Sequence, residues 1–161
     1  MSALPASPRI AIGEKIYQKI VSLCAHYNGG EDPGIVARGW DASLKALIDQ
    51  KLSKLGICVL VCAPKRKPLQ EYGGTNAAIL TTKIVIESNP VLKKSDATAV
   101  LGWDADDLAD LLAIGLEGHR EFNWLPSMKL KVTSTESSRV QMTNKAVTIT
   151  VEQTAILKHG N

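Results

Sequence analysis

Aromatic side chains make up only 4% of this 161-residue chain. Proteins that hold single-stranded nucleic acid stack bases on aromatic rings, so the scarcity weighs against that class. Long apolar runs are also missing. No stretch supplies the run of about 18 apolar residues that a membrane-spanning helix needs. Cysteine is sparse and odd in number: Cys24, Cys58 and Cys62, all in apolar surroundings. They read as reduced thiols of a cytosolic protein. Cys58 and Cys62 fall in one expected strand, where four residues span roughly 13 Å. A disulfide tolerates only about 7 Å between Cα atoms, so the two do not bridge. No second pair completes a zinc knuckle. Residues 1–9 hold Pro5 and Pro8 but no apolar core behind a basic start, so they read as a loose arm rather than a signal peptide.

Catalytic signatures are missing as well. There is no Gly-x-Ser-x-Gly and no Cys–His signature. Cys24 and His26 are two apart, and such neighbours do not face each other on a helix. His26, His119 and His159 read as helix-end or solvated residues. A phosphate loop leads from a strand into a helix. Gly73-Gly74 leads into a strand and Gly29-Gly30 follows a helix, so neither qualifies. No catalytic residue, cofactor or metal is expected, and the chain does not read as an enzyme.

What is present is a regular alternation of elements. At 161 residues with 45% hydrophobic and 22% charged composition, the chain has enough core for one domain, expected over residues 10–157 with a short tail at 158–161. Net charge is +3 and pI about 8.8, mildly basic. Ile12, Ile16, Ile20, Leu23, Cys24 and Tyr27 recur at helical spacing, predicting a helix over 12–27 that ends at Asn28-Gly29-Gly30. Leu44, Leu47, Ile48, Leu52 and Leu55 predict a second helix over 41–55, capped by Asp41 and closed by Gly56. The unbroken apolar run 57–62 predicts a strand covered on both faces. Residues 64–74 read as a charged loop, and 77–87 as a strand.

Residues 88–103 read as a linker. A third helix follows Asp104, with Asp106 and Asp107 in its first turn, where acids suit the helix dipole. Leu108, Leu111, Leu112 and Leu116 form its buried face. Those acids with Asp110 also suggest a metal site, but no third ligand stands at a defined spacing, and capping is favoured. Residues 128–133 and 146–156 alternate as two more strands, with Val147, Ile149 and Val151 facing in. Residues 135–144 read as the polar loop of a hairpin. The expected fold is α+β: a four-stranded antiparallel sheet with helices packed on one face, in the order α-α-β-β-α-β-β.

Four residues stand out as candidate interface. Lys65, Arg66 and Lys67 form a basic cluster on the 64–74 loop, read evenly as a solvated tip or as a finger toward an acidic partner or DNA. Trp124 is the best aromatic candidate for an interface, although covering the core explains it equally well. Trp40 and Trp103 each precede an expected helix and read as staples onto its first turn. Lys93-Lys94 reads as a solvated linker.

The strings Lys83-Ile84-Val85-Ile86-Glu87-Ser88-Asn89-Pro90, Asp106-Asp107-Leu108-Ala109-Asp110-Leu111-Leu112 and Val147-Thr148-Ile149-Thr150-Val151 stand in an order that resembles the tail-terminator (tail-completion) proteins of long-tailed bacteriophages and prophages. The resemblance covers roughly residues 12–157, and the helix over 41–55 departs from the simplest members. It implies a ring of identical subunits, usually hexameric, that caps the tail tube and joins it to the head-completion proteins. It implies a place in the cytoplasm of the bacterial host during assembly and then in the virion, with no membrane partner. The alternative is a small binding module that uses the basic loop 64–74 and Lys129/Lys131 to hold nucleic acid, possible but not favoured, or an acidic protein.

Overall fold

The computed structural model describes residues 7–68, 77–89, 104–117, 131–139 and 144–156. The chain is α+β. The first helix, α1, runs Pro8–Tyr27, starting four residues earlier than its apolar stripe suggests. Proline explains the early start: its fixed φ suits the first helical position, where no N–H is needed. Pro8 and Arg9 therefore belong to the helix and not to a loose arm. Ile12, Ile16, Ile20 and Cys24 form its buried stripe.

A three-residue strand, β1 (Val36–Arg38), follows and pairs in parallel with β2 (Ile57–Val61). Between them lies α2, Leu44–Leu55. It begins three residues after Asp41, because the Asp41 carboxylate accepts from the Ser43 amide and forms a turn of its own. Its apolar residues are half-buried; none is fully buried. Gly56 closes it at φ 76°, donating to the Lys51 carbonyl, as its position led one to expect.

Residues 65–68 form β3 (Lys65–Pro68), not a loop. β3 pairs antiparallel with the first part of β4 (Ala77–Ser88), and β2 pairs with the last part. The helix α3 (Ala105–Leu116) precedes the hairpin of β5 (Lys131–Arg139) and β6 (Lys145–Ile156). β5 extends well into the expected polar loop. Thr and Ser are tolerated there because β6 pairs with all of β5 but Thr133, where the register shifts. Among the described residues the sheet therefore has six strands, in the order β1-β2-β4-β6-β5 with β3 beside β4. It is mixed rather than wholly antiparallel, and the β1–β2 pair makes it so.

α1 and α3 pack on one face. Ile12, Ile16 and Ile20 join Ile57, Val59 and Val61, while Leu108, Leu112 and Leu116 join Ile84, Ile86, Val147, Ile149 and Val151. Each such side chain contributes roughly 1.5–3 kcal/mol on burial. Tyr27 Oη donates to the Leu111 carbonyl at 3.0 Å, tying the two helices together. Trp40 does not staple α2; its ring lies over Gly13 of α1, where no side chain intervenes. Arg38 of β1 grips Glu14 of α1 through two 2.8 Å bonds and lies 3.9 Å over the Tyr17 ring. That grip holds the Glu14 carboxyl below its usual range.

Gln153 breaks the apolar pattern on the helix side of β6. It is 3% exposed, and among the described residues neither amide atom has a hydrogen-bond partner. An unsatisfied buried amide costs about 1–3 kcal/mol. Gln153→Met keeps the shape and removes the polar atoms. It is expected to stabilise the fold by about 1 kcal/mol or more, read as a higher urea midpoint at unchanged slope. A lower midpoint would mean that the amide is bonded after all.

Candidate interaction surface

Alternation along β4 decides what the second sheet face carries. Leu80, Thr82, Ile84 and Ile86 are buried, so Ile79, Thr81, Lys83 and Val85 point the other way. Residues directly opposite in an antiparallel pair share a face. Lys65 lies opposite Thr81 and Lys67 opposite Ile79. Lys65, Lys67 and Lys83 therefore stand on one face, all exposed. Successive rows are about 7 Å apart, so the three lysines span roughly 14 Å. Arg66, opposite Leu80, is exposed on the other side of β3.

The same face carries half-buried Ile79, Val85 and Leu60 among Thr148, Thr150 and Thr154. Its charge is not uniform. Glu152 lies opposite Thr81, and Lys131 of β5 lies opposite Glu152. At the far end, Glu87 accepts from Asn144 Nδ2 at 2.9 Å. Cys62 sits half-buried beside the stripe. Burial pushes its thiol up, and Lys83 and Lys65 oppose that shift.

The other exposed surface belongs to α3. Asp104 accepts from the Asp107 amide at 2.9 Å, and the Asp107 carboxylate reaches back to the Asp104 amide, a reciprocal capping box. Asp106 pairs with Lys145. The acidic first turn is thus accounted for by capping and pairing. Among the described residues no group of three or more His, Cys, Asp or Glu converges on a metal position. Asp107, Asp110 and Ile114 point away from the sheet, all exposed. Glu117, which ends the helix, turns back to the sheet, its carboxylate accepting from the Val132 amide of β5 at 2.7 Å. Ile114, at 77%, is the one large hydrophobic side chain exposed among the described residues.

Of the four candidate residues, the structure brings Lys65 and Lys67 together, sets Arg66 apart, and leaves Trp124 outside the described residues. Trp103, Lys93, Lys94 and Lys129 also lie outside them. Lys83 and Ile114 were missed as candidates. The alternation along the expected strand would have placed Lys83 outward, but nothing in the chain says that β3 lies beside it. Ile114 looked like an ordinary member of an apolar helix. No described helix is long and apolar enough to cross a membrane.

Among solved structures the chain is similar to a protein of Akkermansia muciniphila determined without its transmembrane region, at 11% identity and a TM-score of 0.36, over 99% of this chain and 91% of that one. A second Akkermansia muciniphila crystal structure matches at 10% identity and a TM-score of 0.34, over 99% of this chain and 83% of that one. The crystal structure of a core domain from the same organism matches at 10% identity and a TM-score of 0.34, over 98% and 92%. Likeness at this level assigns no function. No family model and no curated protein matches the chain, so what it does rests on its own surfaces.

Proposed function

We propose that the chain is a structural assembly subunit of the tail-terminator kind. It forms a ring with copies of itself, caps the tail tube of a long-tailed phage or prophage, and joins it to the head-completion proteins. Assembly takes place in the bacterial cytoplasm, and the ring stays in the virion. No catalytic role is part of the reading. The observation that supports it is the β5 edge. β5 closes the sheet order, and over its nine residues no described strand pairs with its outer side. The Val132 amide of β5 is taken by the Glu117 carboxylate; the rest of the edge offers N–H and C=O groups to a neighbouring chain. The order of elements, strand to acid-capped helix to closing hairpin, supports it too. Light scattering across a concentration series tests it, with negative-stain imaging of the largest species. Closed rings are expected; a strict monomer at every concentration, with no binding to purified tail tubes, sinks the reading.

A second reading rests on Lys65, Lys67, Lys83 and Lys131, which share one sheet face. A polyanion such as duplex DNA would be held there through its phosphates. Affinity would then fall with salt, with a log–log slope of about −0.9 per neutralised phosphate. A duplex titration with no salt-dependent binding removes this reading.

A further inference from the structure

We infer that the outer face of α3 in one copy docks on the lysine-bearing sheet face of a second copy, head to tail. The inference rests on the reading that the chain assembles with itself, and it names the two patches that meet. Asp107, Asp110 and Ile114 follow at steps of three and four, so they form one stripe along the helix. The stripe is about 10 Å long at 1.5 Å per residue. The lysines of rows 79 to 83 span roughly 14 Å. The stripe fits within that span, and the two surfaces are opposite in sign. Two acids precede Ile114 on the helix, and lysines stand beside half-buried Ile79 and Val85 on the sheet.

The helix stripe faces away from the core on one side of the molecule, and the lysines project from the opposite side of the sheet. One copy therefore cannot satisfy its own patches. A second copy does, and it leaves one unused patch at each end. Such a contact is heterologous: it closes into a ring or runs on as a stack, according to the rotation per step. Among the described residues the lysine face also carries Glu152, whose charge Lys131 opposite offsets, and exposed Glu136 of β5, which lies opposite Thr148, away from the three lysines.

The test uses two double variants of the full chain, each confined to exposed residues. One carries Asp110→Lys with Ile114→Lys; the other carries Lys65→Glu with Lys83→Glu. Circular dichroism and thermal melting first establish that both are folded. Each alone is expected to be monomeric where the wild type self-associates, with self-affinity weakened at least about 100-fold, since like charges now face each other. Mixed in equal amounts, the two should associate again, because the lysine face left intact in the first variant meets the helix stripe left intact in the second. Wild-type-like assembly of both variants, or a mixture that stays monomeric, overturns the inference while leaving ring formation through another contact standing. A wild type that never self-associates overturns both. If Lys65→Glu/Lys83→Glu abolishes salt-dependent binding to duplex DNA while self-assembly persists, the lysines serve a polyanion and the inference fails.

Discussion

Raising the pH from 8 to 11 is expected to remove about 5 kcal/mol of folding stability, traced to two thiols. Burial pushes Cys24 up to about 12 and Cys58 up to about 11, from an ordinary value of 9.0. Asp32 adds to the shift at Cys24; at Cys58 the nearby Lys51 opposes burial and Glu87 adds to it. Both folded thiols stay neutral in a range where the unfolded chain has already ionised. The stability they protect is complete below the unfolded value. It is lost as pH rises from about 9 toward 11 and 12, because the unfolded state releases protons first. A tenfold difference in proton affinity between the folded and unfolded thiol is worth about 1.4 kcal/mol. Burial pushes the Tyr27 phenol up as well, and its loss runs in the same direction. A domain whose whole stability is about 5–15 kcal/mol does not absorb such a loss easily.

Urea unfolding at pH 8 and at pH 11, under reducing conditions, gives the number directly. The Cys24→Ala/Cys58→Ala double variant is the control. It starts less stable because two side chains are truncated in the core. Its further loss between pH 8 and pH 11 should be smaller than that of the wild type by most of the predicted amount. Every other ionisable side chain is common to the two proteins and cancels in the comparison. Equal losses in the two proteins would mean that the thiols are not shielded from water as the structure places them.

The parts of the fold that the sequence displayed are those in which one period runs long enough to be seen. Ile12, Ile16, Ile20 and Cys24 mark α1 over four turns, and Val147, Ile149 and Val151 mark β6 by simple alternation. Asp104 announced its cap because an acid at that position has a local job to do. β1 gave no such signal: the four residues between Gly34 and Gly39 are too few for any period, and the strand exists because β2 lies alongside. β3 is similar. Lys-Arg-Lys-Pro carries no apolar alternation, and pairing with β4 makes it a strand. The candidate surface was legible only in pieces. Lys65 and Lys67 were visible as a basic cluster, and Lys83 only as a member of the expected strand 77–87. Their convergence depends on register, which is a property of the folded sheet.

Replacing Gly39 by alanine is expected to cost about 3 kcal/mol, and the reason is backbone rather than side chain. The Gly39 amide donates to the Val61 carbonyl at 2.7 Å, drawing the end of β1 against β2. A Cβ on Gly39 would lie 2.8 Å from that same oxygen and 2.9 Å from the Cys62 Cα. Neither atom can rotate aside, so the strands must part and the bond must lengthen. Forced overpacking of this kind costs about 1–3 kcal/mol. A weakened hydrogen bond adds about 1 kcal/mol more. Gly115 is the contrast. Its Cβ would meet the Leu23 methyl groups at 2.8 Å, ends of a side chain that can turn away, and Tyr27 Oη at 3.0 Å, which has to give by only a few tenths of an ångström. Alanine also gains about 1 kcal/mol of helix propensity over glycine inside α3. Gly115→Ala should therefore sit within about 1 kcal/mol of the wild type, although its shortest contact is the same length. Parallel urea titrations of the two variants decide the matter, and a reversed order would mean that the β1–β2 contact gives way more easily than the helix contact. The loss at Gly39 should not stay local. β1 carries Arg38, and when the strand shifts, the two bonds to Glu14 that hold α1 shift with it. Faster amide exchange in the first half of α1 is the expected trace of that coupling.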